Sequence, residues 1–287
     1  MDEIRKIKHM LKAVPTLEVA GVHLKRVFGS REVPDLDPFL LLDDFHSRDP
    51  EKYIKGFPWH PHRGIETITY VLHGRVEHGD SMGNTGVIAS GDVQWMTAGS
   101  GIVHQEMPQG DEDGLLWGFQ LWANLPASHK MMPPRYREIK KEDIQDLVLE
   151  NGVRVKLIAG RMNGVEGPAR DIVIDPQFLD VSLPARGVFD HGIPRGHKAF
   201  AYAIEGEGDF EPLARKTAGP ETLVFYEDGE RVNIAAKDKP LRFLLISGKP
   251  LNEPISWQGP IVMNTDEELE TAFREYRNGT FLKHLEK

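Results

Sequence analysis

Apolar and polar positions trade places over short runs along most of the chain, and glycine or proline closes many of the runs. VHLKRVFG (22–29) and GVIASGDVQWMTAG (86–99) are β-rich runs bounded by glycine, and GLLWGFQLWANLP (114–126) is an apolar strand that Pro126 ends. HGDSMGNTG (78–86) is a cluster of turn formers. Short strands without helical periods between them predict a sandwich or a barrel.

One segment carries a helical period. TDEELETAFREYRNG opens with Thr265 and Glu268 at capping-box spacing. Leu269, Ala272, Phe273 and Tyr276 then recur on one face, and Asn278-Gly279 supplies the stop. The two prolines of MMPPRYREI (131–139) favour an extended linker. A domain boundary near 139–141 follows, dividing 1–139 from 140–287 with the helix in the second part, and KEDIQD (141–146) reads as one short helical turn.

The pattern also repeats. RGIETITYVLHG (63–74) matches RGHKAFAYAIEG (195–206) at a shift of 132, with Arg, Gly, Tyr and Gly at the same four places. Ile68 recurs as Phe200 and Leu72 as Ile204. The linker falls between the two copies, so the expectation is a duplicated β-domain.

Composition narrows the function classes. The chain has 287 residues, 40% hydrophobic and 28% charged, an ordinary globular balance. A net charge of −9 argues against a nucleic-acid backbone or an anionic membrane surface as partner. No run reaches the ~18 apolar residues of a spanning helix. MDEIRKIKHM lacks the apolar core of a signal peptide, and the absence of cysteine fits a reducing compartment, so a cytoplasmic location is expected. Any metal must then be held by nitrogen and oxygen.

Two short motifs supply such donors. His60 and His62 flank Pro61, and residues two apart on a strand face the same side. Pro61 cannot donate to a ladder, which places the segment at a strand start or a sheet edge. His104 and Glu106 in GSGIVHQEMP share a face in the same way. Brought together, the pairs offer three nitrogens and one oxygen, a set suited to iron, manganese, nickel, copper or zinc. Asp43 or Asp44 could orient a ligand histidine. Gln120, Trp122 and Asn124 alternate on one face and could line a cavity, as could Phe45, Phe57 and Trp59. His73 and His78 flank a turn and are expected to be solvated. No Gly-rich phosphate loop, G-x-S-x-G elbow or cysteine nucleophile is present.

HPHRGIETITYVLHG, GDVQWMTAGSGIVHQEMP, LDPFLLLDDF (36–45) and GPIVMNTDEELETAFREYRNGTF together resemble the pirin family. The resemblance covers essentially the whole chain. It implies an all-β fold of two tandem cupin barrels with a C-terminal helix. It also implies a metal held by His60, His62, His104 and Glu106, usually Fe(II). Two activities are described in the family. Some members are quercetin 2,3-dioxygenases, acting on a flavonol and O2, and Glu106 would then serve as ligand and as catalytic base. Others regulate a transcription factor or a metabolic enzyme by binding it.

The general cupin pattern places a ligand glutamate five residues after the second histidine, which here is Thr67. Glu66 stands one residue early, and a one-residue offset turns a strand side chain to the other face. Glu66 is therefore expected off the metal, in a structural salt bridge or supporting contact with Arg63. The same comparison weighs against a sugar-isomerase cupin. In the second repeat His60 and His62 correspond to Gly192 and Pro194, and GERVNIAA (229–236) stands where GIVHQE would be, so no second metal site is expected.

Overall fold

The computed structural model describes residues 3–18 and 20–284. These residues form two compact units, and each unit is assembled from non-contiguous stretches of chain. Of the described residues, the first comprises 15–18, 20–33, 39–141 and 251–284, and the second 3–14, 34–38 and 142–250. The chain passes from one to the other at 141/142. The terminal stretches are distributed otherwise than a single cut implies. Residues 3–14 belong with 142–250, and the C-terminal helix belongs with the unit that holds the histidine motifs.

Each unit pairs a seven-stranded sheet with a four-stranded one, antiparallel throughout. In the first unit the large sheet runs Arg135–Ile139, Val93–Thr97, Ile65–His73, Leu116–Asn124, Phe39–Ser47, His23–Phe28, Val14–Leu17. The small sheet runs Phe57–His62, Ile102–Gln109, Arg75–Asp80, Thr85–Ala89. The second unit repeats both orders. Its large sheet runs Ile7–Lys12, Thr222–Tyr226, Lys198–Glu205, Leu241–Gly248, Gln177–Leu183, Arg154–Ala159, Gln145–Val148. Its small sheet runs Val188–Gly192, Arg231–Ala236, Gly208–Glu211, Lys216–Ala218.

The repeated motif lies on equivalent strands. Ile65–His73 and Lys198–Glu205 each hold the third place in their sheets, and Gly64 and Gly196 before them both turn at φ 78°. Around Gly196 there is open space, whereas a Cβ on Gly64 would lie 1.9 Å from the Val262 carbonyl oxygen. Glycine at 64 therefore lets the C-terminal strand Ile261–Met263 pack against the barrel.

Burial follows the alternation read from the sequence. In the second unit Val155, Leu157, Leu179, Val181, Phe189 and Phe243 turn inward and are almost fully buried. At about 25 cal/mol per Å² of apolar surface, such inward rows are the main stabilising term of each sheet pair.

Three local expectations change. MMPPRYREI is not a free linker, because Arg135–Ile139 pairs along Val93–Thr97 as the edge strand of the large sheet. The two prolines end before that strand begins, so its backbone is free to pair. KEDIQD forms a turn and then the strand Gln145–Val148 rather than a helical turn. The turn cluster at 78–86 shrinks, because Arg75–Asp80 remains a strand through His78 and Thr85–Ala89 begins the next one. The C-terminal helix, Asp266–Arg277, keeps its capping box, with Thr265 accepting from the Glu268 amide and Glu268 reaching back to the Thr265 amide. Leu269 and Ala272 are buried and Phe273 half-buried, while Tyr276 is exposed and edges against the Phe281 ring.

Candidate metal centre

The two motifs meet across one strand pair. Ile102–Gln109 runs antiparallel to Phe57–His62, and His104 is the register partner of His60. Between His104 and Glu106 the pairing slips, so Glu106 stands opposite Phe57. On its other side the same strand stays in register, with Glu106 opposite His78 and His104 opposite Asp80.

The ligand atoms of His60, His62 and His104 all lie within 4.8 Å of one another. His60 is half-buried and the other two are buried. Hydrogen bonding sets the tautomers of His60 and His62. His60 Nδ1 is 2.8 Å from the Pro58 carbonyl and His62 Nδ1 is 3.0 Å from the Pro260 carbonyl. A carbonyl only accepts, so both Nδ1 atoms carry hydrogen and both Nε2 atoms are bare in the neutral rings. Those two Nε2 atoms face each other at 3.1 Å. His104 Nε2 is buried without a hydrogen-bond partner, while its Nδ1 stands 3.2 Å from His78 Nε2. Burial holds the His62 and His104 rings well below the usual imidazole pKa, and the neighbouring histidines push in the same direction. Protonation is thus an unfavourable way to relieve facing lone pairs, and a bound cation is the chemistry that this donor set fits.

Glu106 is buried but is not one of the grouped donors. Its carboxylate accepts from the Thr69 hydroxyl and the Gln120 amide. Trp122 follows Gln120 on the same face and meets the His62 ring edge-on, with centroids 5.1 Å apart. Trp257, from the C-terminal stretch, lies 6.1 Å from Trp122, and both are half-buried against Ile65, Met96 and Ile102.

The remaining expectations divide. Glu66 lies outside the histidine group and is buried, but its partner is the Thr97 hydroxyl at 2.6 Å, not Arg63. Burial pushes the Glu66 carboxyl pKa up, partly offset by that hydroxyl. Arg63 instead turns to Glu275 and the Phe281 carbonyl, because the C-terminal helix packs over it. Asp43 is engaged by Arg26 through both oxygens, at 2.9 and 2.8 Å, and orients no ligand histidine. Phe45 and Phe57 pack with Leu24, Tyr53 and Leu116, whereas Trp59 is exposed. Asn124 accepts from the buried Lys130 ammonium rather than lining the site. His73 is exposed as expected.

His78 is the main omission. It is buried against His104 and stacks on Tyr136, with centroids 5.1 Å apart. The alternation of RVEHGD, which turns Val76, His78 and Asp80 inward together, is the signal that could have found it. Among the described residues of the second unit no comparable group of donors forms. His191 is bound by Gln177 instead.

A β-fold present in two copies, with a convergent histidine trio in one of them, defines a bicupin with a candidate metal centre. The pirin family pattern matches residues 21–123, and that of the pirin C-terminal cupin domain matches residues 178–282. A pirin-like protein of Caulobacter vibrioides is 42% identical over 97% of this chain and 99% of its own length. The chain belongs to the pirin family. In solved structures, a quercetin 2,3-dioxygenase of Acinetobacter baumannii superposes with a TM-score of 0.89 at 32% identity, over 97% of this chain and 98% of that one. The bacterial pirin YhhW of Escherichia coli, in complex with nickel(II), shares the fold at 21% identity and a TM-score of 0.64, over 84% of this chain and 98% of that one. No helix among the described residues is long and apolar enough to cross a membrane.

Proposed function

We propose that this pirin is a metal-dependent flavonol 2,3-dioxygenase, with Fe(II) held by His60, His62, His104 and Glu106. The convergence of three imidazole nitrogens, two of them bare and the third buried without a hydrogen-bond partner, carries the reading. The metal would act as a Lewis acid that lowers the pKa of a flavonol hydroxyl. The chain's own residues do the rest. The Pro58 and Pro260 carbonyls fix two imidazole rings through their Nδ1 atoms. Trp122 and Trp257 give the site a half-buried aromatic wall that fits a planar substrate. Glu106, in a buried polar pocket next to the histidines, would take the substrate hydroxyl proton on the oxygen it releases from the metal. The similarity to the Acinetobacter dioxygenase supports the same reaction class.

The test is oxygen uptake and carbon monoxide release from quercetin by the iron-loaded protein. Turnover that disappears in Glu106→Ala is expected. No turnover by fully loaded protein would overturn the reading and favour the regulator, which binds a protein partner without chemistry.

A further inference from the structure

Both oxygens of Glu106 are engaged by the protein, but unequally. Oε1 accepts from Thr69 Oγ1 at 3.0 Å and from Gln120 Nε2 at 3.1 Å. Among the described residues Oε2 accepts from Gln120 Nε2 alone, at 2.9 Å, and the same NH2 group lies 3.4 Å from Thr69 Oγ1. The assignment of the Gln120 amide is fixed by its other neighbour. Trp122 Nε1 lies 3.1 Å from Gln120 Oε1, and an indole N–H can only donate. The amide oxygen must therefore face Trp122, and the NH2 group must face Glu106. The hydrogen bonds run one way, from Trp122 to Gln120 to Glu106.

We propose that Gln120, oriented by Trp122, is a positioning residue that makes Glu106 a one-oxygen ligand. The inference rests on the reading of Glu106 as a ligand. A carboxylate oxygen has two in-plane lone pairs. On Oε1 both are used, by Thr69 and Gln120, whereas on Oε2 one remains. A metal among the three imidazoles thus finds a single free lone pair on this side chain. A carboxylate released from these donors can chelate through both oxygens, as carboxylates commonly do at metal sites. In a six-coordinate ion that second oxygen would fill one of the two positions needed by substrate and dioxygen. The tryptophan that lines the site therefore also controls, through one amide, how many positions stay open.

The experiment uses full-length protein loaded with cobalt(II), whose visible spectrum reports coordination number, and azide as the probe of open positions. Glu106→Gln tests the ligand reading, and Gln120→Leu tests the inference. Trp122→Phe frees the amide to turn over and serves as a second variant if Gln120→Leu fails to fold. The expected result for Gln120→Leu is retained cobalt, weaker visible bands and azide binding reduced by at least about tenfold, the scale of one net hydrogen bond to a charged group. Trp122→Phe should shift both readouts the same way by less. A parent-like spectrum and azide affinity in both variants, with Glu106→Gln altered, overturns the positioning role alone. If Glu106→Gln also matches the parent, the ligand reading falls with it.

Discussion

His78 Nε2 stands 3.2 Å from His104 Nδ1, and this one contact links the protonation of two buried rings. If His104 offers Nε2 to a metal, its Nδ1 carries hydrogen and must donate. His78 then has to present a bare Nε2 and keep its proton on Nδ1. Burial favours this neutral state by pulling the His78 pKa down. His78→Ala should therefore weaken metal affinity by about 10–100-fold, the usual effect of removing a group that orients a ligand histidine. Competition against a chromogenic chelator measures it, and an affinity equal to the parent's would dismiss the role.

Metal should stabilise the unit that contains residues 39–141. A ligand that binds only the folded state at a hundred times its Kd adds about 2.7 kcal/mol. Calorimetry should show one transition rising with added Fe(II) or Co(II) and falling back with chelator. His62→Ala should abolish the rise. A rise that persists in His62→Ala would locate the metal elsewhere.

Two buried cations tie the C-terminal stretch to the same unit. Arg63 donates to Glu275 and to the Phe281 carbonyl and sits 4.2 Å over the Phe281 ring. Lys130 spends its three protons on the Gly64 and Val262 carbonyls and on Asn124 Oδ1. Arg63→Met leaves the Glu275 carboxylate without its buried partner, although Lys283 also binds it. The substitution also removes the donor to the Phe281 carbonyl, and the expected loss is ~1–3 kcal/mol. Limited proteolysis should then cut near residues 251–284 sooner than in the parent, and cutting at the parent's rate would refute the tie.

The second unit gives a pH prediction. Burial, aided by Arg231, lowers the His191 pKa to about 4 against an ordinary value of 6.5. Between these values the unfolded chain binds more protons than the folded one, so stability rises with pH across the window. The contribution is fully present above 6.5 and is lost as pH falls towards 4. It amounts to roughly 3 kcal/mol at 1.36 kcal/mol per unit. His191→Gln should flatten the urea midpoint of this unit between pH 4.5 and 7, and an unchanged slope would contradict the assignment.

Much of the fold was legible because β-structure writes itself as alternation and turns. The motif at 63–74 and its copy at 195–206 fall on equivalent strands, each entered through a glycine of positive φ. The capping box of Thr265 and Glu268 forms as read. The same-face rule brought His60 beside His62, and strand pairing set His104 opposite. Less local features were hidden. Nothing near His62 in the sequence announces that its Nδ1 bonds the Pro260 carbonyl, because that contact depends on where the C-terminal stretch returns. Arg63 was matched to Glu66 by proximity along the chain, yet tertiary packing gave it Glu275. His78 was hidden by its glycine and aspartate neighbours, which resemble a turn although the strand continues.

The return of residues 251–284 to the first unit has a consequence for biosynthesis. Domains generally fold as units in the order in which they leave the ribosome. Here the histidines at 60, 62 and 104 emerge long before the carbonyl at Pro260 that orients one of them. All of residues 142–250 must be translated in between. A nascent chain can hold the three imidazoles, but it cannot finish the cradle around them until the other unit has been made. Translation order thus delays completion of the candidate metal centre until Pro260 has been made.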